Sequence, residues 1–265
     1  MESRGARIAL RIASAGVMLF LYLPLVVIVL FAFSASKIPT WPITQYSTYW
    51  FHLAWNDQTA RTALVNSFTV ALRASLLAIV LGTLASFALQ RFKFFGRQAI
   101  SLLFILPIAL PGIVTGLALL SGIEYMGFTL SLWTVIVGHA TFCIVVVFNN
   151  VIARLRRSGA SLEEASMDLG ADGWLTFRHV ILPNIATALV AGGLLAFALS
   201  FDEVVVTLFT AGAQQTLPLW IYNQFRLPNN APEVNAVAVF VIILTTIPVL
   251  LAQRLMRDSG GVTGR

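Results

Sequence analysis

The chain is poor in most of what a soluble enzyme is built from. Charged residues make up 11% of its 265 positions, against about 25% in ordinary globular domains. That shortage excludes a water-facing surface of the usual kind. The one cysteine, Cys143, stands inside the apolar run GHATFCIVVVF, so neither a disulfide framework nor a cysteine-based metal site is available, and the redox compartment is not legible from cysteine. Histidine is scarce too: His52, His139 and His179 fall in different segments. His139 and Cys143 are four apart on one helical face, but two ligands without a third do not make a metal site, and the pair reads as packing. No glycine-rich phosphate loop ending in Lys and Ser or Thr occurs, so the chain is not expected to bind ATP itself. A membrane enzyme would need a nucleophile, an acid–base pair or a metal cluster, and none stands out.

What is present is apolar sequence, 58% of the chain. The reading is an all-α integral membrane protein. A helix needs about 20 apolar residues to cross the hydrocarbon core, and six runs qualify: 12–33, 63–90, 99–123, 132–153, 185–210 and 234–253. Arg4, Arg7 and Arg11 precede the first run as in a signal peptide, but the run exceeds the roughly 7 to 15 residues of such a core, so an uncleaved first span is expected. Pro24, Pro107, Pro111 and Pro248 fall within spans, where each removes a backbone donor and can kink its helix. No strong internal repeat is visible.

The net charge of +6 comes from short basic clusters beside apolar runs, the pattern of membrane orientation rather than of nucleic-acid binding. One side would hold Arg4, Arg7, Arg11, Arg91, Lys93, Arg97, Arg154, Arg156, Arg157, Arg178, Arg254, Arg257 and Arg265. The other would hold only Lys37, Arg61 and Arg226, which places both termini in the cytoplasm. On the opposite side TWPITQYSTYWFHLAW, 40–55, suits an aromatic belt at the membrane interface, with a ligand cage as the alternative.

Between the fourth and fifth runs lies EEASMDLGADGWLTFRHVILPNI, 163–185, polar but amphipathic. Ser161 and Glu164 have the spacing of a capping box, and Gly170 supplies a stop. Leu162, Ala165 and Leu169 form a narrow apolar stripe with a small residue at its middle. Asp172 can cap a second short helix whose face carries Trp174, Phe177 and Ile181, and Pro183 suits the first turn of the fifth span. Such a helix-turn-helix can dock in a partner's groove or fold onto its own membrane domain.

The spacing here resembles a known family. Glu164-Ala165-Ser166, three residues, Gly170, nine residues, Val180-Ile181-Leu182-Pro183 is similar to the E-A-A, G, I-x-L-P motif of permease subunits in ATP-driven, binding-protein-dependent importers. Ser166 replaces the third alanine and Val180 an isoleucine. GHATFCIVVVFNN, LSFDEVVVTLFTAG, TLPLWIYNQF and PEVNAVA resemble the spermidine/putrescine group, specifically the second of its two permeases. The resemblance implies a multi-pass protein of the bacterial cytoplasmic (inner) membrane, with six transmembrane helices and a cytoplasmic coupling-helix loop between helices 4 and 5. Residues 1–62 would form the tail, first helix and external aromatic loop, 63–253 the permease core with five helices, and 254–265 a cytoplasmic tail. Implied partners are a cytoplasmic ATPase dimer that binds ATP and Mg, a second homologous permease, an external substrate-binding protein and membrane lipid; no nucleic acid and no cofactor are expected on this chain. Ser161, Glu164, Ala165, Ser166, Gly170, Leu182 and Pro183 would carry the ATPase coupling.

Three charges bear on cargo: Arg73 in the second run and Asp202 and Glu203 in the fifth. Intramembrane charges cost about 2.5 to 3.5 kcal/mol each on insertion scales, so they face a cavity or one another. The two acids lie roughly 27 Å along the fifth span, near its outer side, and on a helix they would point about 100° apart and serve separate roles. A salt bridge from one of them to Arg73 is one reading. The other is attraction of a cationic substrate at the outer mouth, with Glu124 and Glu233 on the rim. Polyamine cargo such as putrescine or spermidine fits, although Gly112 stands where some polyamine members carry an acid. The same importer class for another amine, opine, amino-acid derivative or phosphonate is the alternative, and a secondary transporter is a further one because proline-broken spans suit it as well.

Overall fold

The computed structural model describes residues 4–92, 94–158, 161–227 and 229–260; Lys93 and Arg265 of the basic clusters lie outside them. The helices are α1 (Arg4–Ala32), α2 (Tyr49–Asn56), α3 (Gln58–Arg91), α4 (Arg97–Ala109), α5 (Gly112–Tyr125), α6 (Leu132–Ser158) and α7 (Ser161–Asp168). They continue with α8 (Gly173–Thr176), a π-helical turn (Phe177–Ile181), α9 (Leu182–Phe201), α10 (Val205–Thr210), α11 (Leu217–Phe225) and α12 (Ala231–Gly260). Among the described residues the regular structure is helical apart from one antiparallel bridge, Ser34 to Tyr46.

Among the described residues four helices are long and apolar enough to cross a membrane: Arg4–Ala32, Gln58–Arg91, Leu132–Ser158 and the continuous run Gly173–Phe201. Gly112–Tyr125 and Ala231–Thr246 are shorter apolar helices. On α1 apolar side chains such as Phe20, 78% exposed, point outward on every side, an arrangement that only a lipid solvent makes favourable.

The chain divides into two compact units, Thr62–Trp220 and the segments before and after it. In the latter, α12 packs on α1 and α2. The 40–55 stretch is divided: Trp41, Tyr46, Tyr49 and Trp55 are exposed, whereas Trp50 is buried and its indole N–H donates to the Ser34 carbonyl at 2.8 Å.

In the Thr62–Trp220 unit, α6 is the central helix, with Phe142, Cys143, Val147, Val151 and Leu155 in a core shared with Ile185 and Ala196 of α9. Small residues let the backbones close in. A β-carbon at Gly82 of α3 would lie 2.9 Å from the Ile144 carbonyl oxygen, and one at Gly192 of α9 would lie 3.2 Å from the Val147 Cα. This is the small-residue packing that membrane helices use where apolar burial supplies no driving force.

Two expected spans are broken. The third stops at Ala109; Leu110 and Pro111 are extended, with ψ of 143° and 134°, and α5 begins afresh at Gly112. Pro111 has no amide to donate and disfavours helical geometry at the residue before it, so the expected kink is a full interruption. The fifth span ends at Phe201 rather than Thr210, and Asp202 to Val204 connect it to α10.

Candidate coupling segment and pathway corner

The insert begins with α7, which carries Glu163 and Glu164 in its first turn, where the positive helix end favours carboxylates. The residue before Ser161 lies outside the described residues. At the other end the Gly170 amide donates to the Met167 carbonyl at 2.9 Å and the Ala171 amide to the Ser166 carbonyl at 3.1 Å. With Gly170 at φ +89°, this is a Schellman termination, which requires the left-handed conformation that glycine adopts without strain. Asp172 then caps α8, its Oδ1 accepting from the Leu175 amide at 2.8 Å.

Two short helices follow one another and Pro183 stands in the first turn of α9, as expected; what differs is the join. The second does not end: α8 passes through the π turn into α9 as one helical run, Gly173–Phe201. Pro183 offers no amide, and in an α-helix its ring would press on the carbonyl four residues earlier. The wider turn absorbs this defect, with the Leu182 amide donating to the Phe177 carbonyl five residues back. α8 is therefore continuous with a long apolar helix.

The insert is fastened to its own unit and still exposes an apolar surface. Arg91 and Glu163 form an ion pair at 3.3 Å, and the Ser166 and buried Thr176 hydroxyls lie 3.1 Å apart. Arg154 donates to the Asn184 carbonyl at 2.9 Å and to its side-chain oxygen at 3.1 Å. Phe177 meets Phe87 and stacks on Trp174, and Ile181 enters the core. Of the apolar stripe, Leu162 and Ala165 are exposed and Leu169 is 89% exposed. Beside α7 a cleft of about 350 Å³ is lined by Phe87, Arg91, Arg156, Glu163, Glu164 and Met167, among others.

The two broken spans meet. A β-carbon at Gly112 would lie 3.5 Å from Val205, and one at Gly116 would run into the Phe209 ring. Equal steps along both chains show that α5 and α10 run side by side in the same direction from their respective breaks. Glu203 does not project from a continuous helix: its Oε1 accepts from the Val206 amide at 2.9 Å, and its carbonyl accepts from the Thr207 hydroxyl at 2.7 Å. The carboxylate thus satisfies one of the unpaired amides at the start of α10. Asp202, the residue closing α9, is exposed.

The salt-bridge reading of Arg73 is corrected as well. Among the described residues no ion pair joins it to Asp202 or Glu203; its guanidinium lies 5.6 Å over the Trp133 ring. Glu203 is occupied by backbone, and an aromatic face is an alternative partner for a guanidinium. Glu124, exposed, stands near the end of α5. Glu233 belongs to the other unit, ahead of the apolar run of α12, where burial and, secondarily, the charge of Asp57 raise its pKa above the ordinary 4.5.

His139, read from sequence as packing, does more than pack. Fully buried on α6, it places Nδ1 2.8 Å from Ser200 Oγ of α9 and Nε2 2.9 Å from Thr207 Oγ1 of α10. The available signal was an ionisable side chain in the middle of a span, which is costly enough to call for a role. Cys143 packs in the core, as expected, and its thiol donates to the Ala196 carbonyl at 3.3 Å. Among the described residues no group of three or more His, Cys, Asp or Glu side chains is placed to hold a metal ion.

Among the described residues, long apolar helices and an insert that is continuous with one of them and exposes an apolar stripe are the features of a multi-helix membrane protein. The family model described as "Binding-protein-dependent transport system inner membrane component" matches residues 76–258, and the chain belongs to that family of multi-pass inner-membrane permeases. It is 34% identical over 242 residues to the spermidine/putrescine transport system permease protein PotC of Haemophilus influenzae, covering 91% of this chain and 93% of the relative. To the putrescine transport system permease protein PotI of Escherichia coli it is 34% identical over 246 residues, covering 89% and 86%. Among solved structures, a chain of a bacterial ABC transporter involved in the import of the acidic polysaccharide alginate shares its fold, with a TM-score of 0.72 at 17% identity over 96% of this chain and 98% of the other.

Proposed function

We propose that this permease forms one half of the translocation pathway of an ATP-driven polyamine importer, with putrescine and spermidine as its cargo class. It crosses the membrane six times with both termini in the cytoplasm, and a homologous permease supplies the other half of the pathway. A cytoplasmic ATPase dimer, holding ATP and Mg, grips Ser161 to Gly170, and an external binding protein delivers cargo to the opposite face. Ser161, Glu164, Ala165, Ser166 and Gly170 shape the gripped element, and Leu182 and Pro183 connect it to α9. The carrying observation is the insert itself: a helix with an exposed apolar stripe, closed by Gly170 and followed by a helical run without interruption to Asp202. It supports a lever between an outside engine and the membrane.

The names of the relatives, together with the acids at the α9–α10 corner, support the cargo. Glu203 is committed to the backbone of α10, which leaves exposed Asp202 as the cargo-facing carboxylate, with Glu124 and Glu233 as outlying acids. Gly112 carries no acid and packs against Val205, so α5 contributes closeness rather than charge. The test is ATP hydrolysis by the complete complex in lipid, stimulated by binding protein loaded with putrescine, spermidine or a non-cationic cargo. Stimulation by the loaded amines alone is expected; equal stimulation by the non-cationic cargo would discard the polyamine assignment.

A further inference from the structure

The hydrogens around His139 can be assigned by counting donors. Thr207 has one hydroxyl hydrogen, and its contact with the Glu203 carbonyl at 2.7 Å uses it, because a carbonyl oxygen can only accept. Toward His139, 2.9 Å away, Thr207 Oγ1 therefore accepts, so the imidazole carries its hydrogen on Nε2. In the neutral ring Nδ1 is then an acceptor, and Ser200, 2.8 Å away, donates to it. A directed chain runs from Ser200 through His139 and Thr207 to the Glu203 carbonyl.

This chain encloses the corner. Ser200 stands two residues before Asp202, and Thr207 four after Glu203, on the far side of the interruption. One ring on α6 thus holds both arms of the α9–α10 connection. The ring is fully buried, so it cannot itself meet cargo. Asp202 is exposed, and among the described residues its side chain makes no ion pair. Its backbone lies between the two residues that the ring holds.

We propose that His139 is a positioning residue that aims the Asp202 carboxylate into the translocation pathway. The proposal rests on the reading of Asp202 as the cargo-facing acid. An imidazole suits this position because it offers one donor and one acceptor a fixed distance apart, so a single ring can hold two arms at once. Glutamine presents the same pair on a planar amide, whereas phenylalanine keeps the ring and loses both bonds.

The test is a double-mutant cycle on putrescine uptake by the complete complex in liposomes, read as maximal turnover and as the half-saturating concentration of putrescine-loaded binding protein. His139→Phe is expected to lower turnover about fivefold, the size of a typical coupling between neighbouring residues, with the half-saturating concentration unchanged and His139→Gln restoring most of the loss. In an Asp202→Asn background His139→Phe should cost nothing further. Equal losses from His139→Phe in both backgrounds would show a general packing role and overturn the proposal, as would unchanged turnover in the single variant. If Asp202→Asn alone leaves uptake intact, the reading of Asp202 falls and takes the proposal with it, a result distinct from failure of His139 alone. Should His139→Phe not assemble, Thr207→Val cuts the same chain from the other side and carries the same expectations.

Discussion

The Ser166 and Thr176 hydroxyls face each other 3.1 Å apart, joining α7 to the run that becomes α9. Ser166 is also the position at which the motif departs from its usual alanine. The departure is therefore a gain of a contact that alanine cannot make. Ser166→Ala alone leaves the buried Thr176 hydroxyl without this partner and should loosen α7 by about 1 kcal/mol. Adding Thr176→Val removes both polar ends and should recover much of the loss. Hydrogen exchange of the 161–171 amides in the assembled complex reads both steps; additive losses would contradict the account.

Gly170 sits at φ +89° with open space around it, so what a side chain meets there is backbone strain, not a clash. Gly170→Ala and Gly170→Leu should cost alike, about 1 to 2 kcal/mol, and Gly170→Asn less, because asparagine tolerates the left-handed region. The measurement is ATP consumed per amine imported. A cost that grows with side-chain size would instead indicate a tight fit at that point.

Asp202 and Glu203 are adjacent and have separate roles. Glu203→Ala deletes the bond to the Val206 amide and should destabilise the corner by about 1 kcal/mol, seen as lower thermal stability of the purified protein. Asp202→Asn, at an exposed position, should leave stability within about 0.5 kcal/mol while reducing amine uptake about tenfold, as expected for losing one charge-assisted contact. The reverse pattern would exchange the two roles.

Local rules carry far into this protein and then stop. The Gly170 termination and the Asp172 cap are readable because each depends on a few neighbouring residues and on backbone geometry. The end of α9 is not: LSFDEVVVTLF reads as continuous apolar helix, and the interruption is held by His139, 61 and 68 positions from its partners. The π turn ahead of Pro183 was hidden for a different reason, since a change to five-residue hydrogen bonding leaves no mark in composition. Arg73 misled through chemistry: a carboxylate is the obvious partner for an intramembrane guanidinium, but Glu203 was already taken and Trp133 was in reach.

Glu233 gives a pH signature. Its pKa is raised in the folded protein by burial and by Asp57, so the native state holds its proton more tightly than the unfolded chain does. Its contribution to stability is then most favourable below the ordinary carboxylate value and is lost as pH rises toward the raised value. Glu233→Gln should therefore raise thermal stability at neutral pH, with the gain fading as pH falls from the raised value toward 4.5 and absent below it. A gain that persists undiminished in acid would show that the carboxylate charge is not its source.

The central claim is that α7 delivers the work of an ATPase through its exposed stripe, and Leu169 tests it most directly, being 89% exposed. The measurement is the amount of ATPase that co-purifies with the paired permeases when Leu169→Glu is introduced. The account predicts that the permeases stay together in the membrane while most of the ATPase is lost, and ATP-driven uptake with it. Full ATPase retention with full uptake would contradict it.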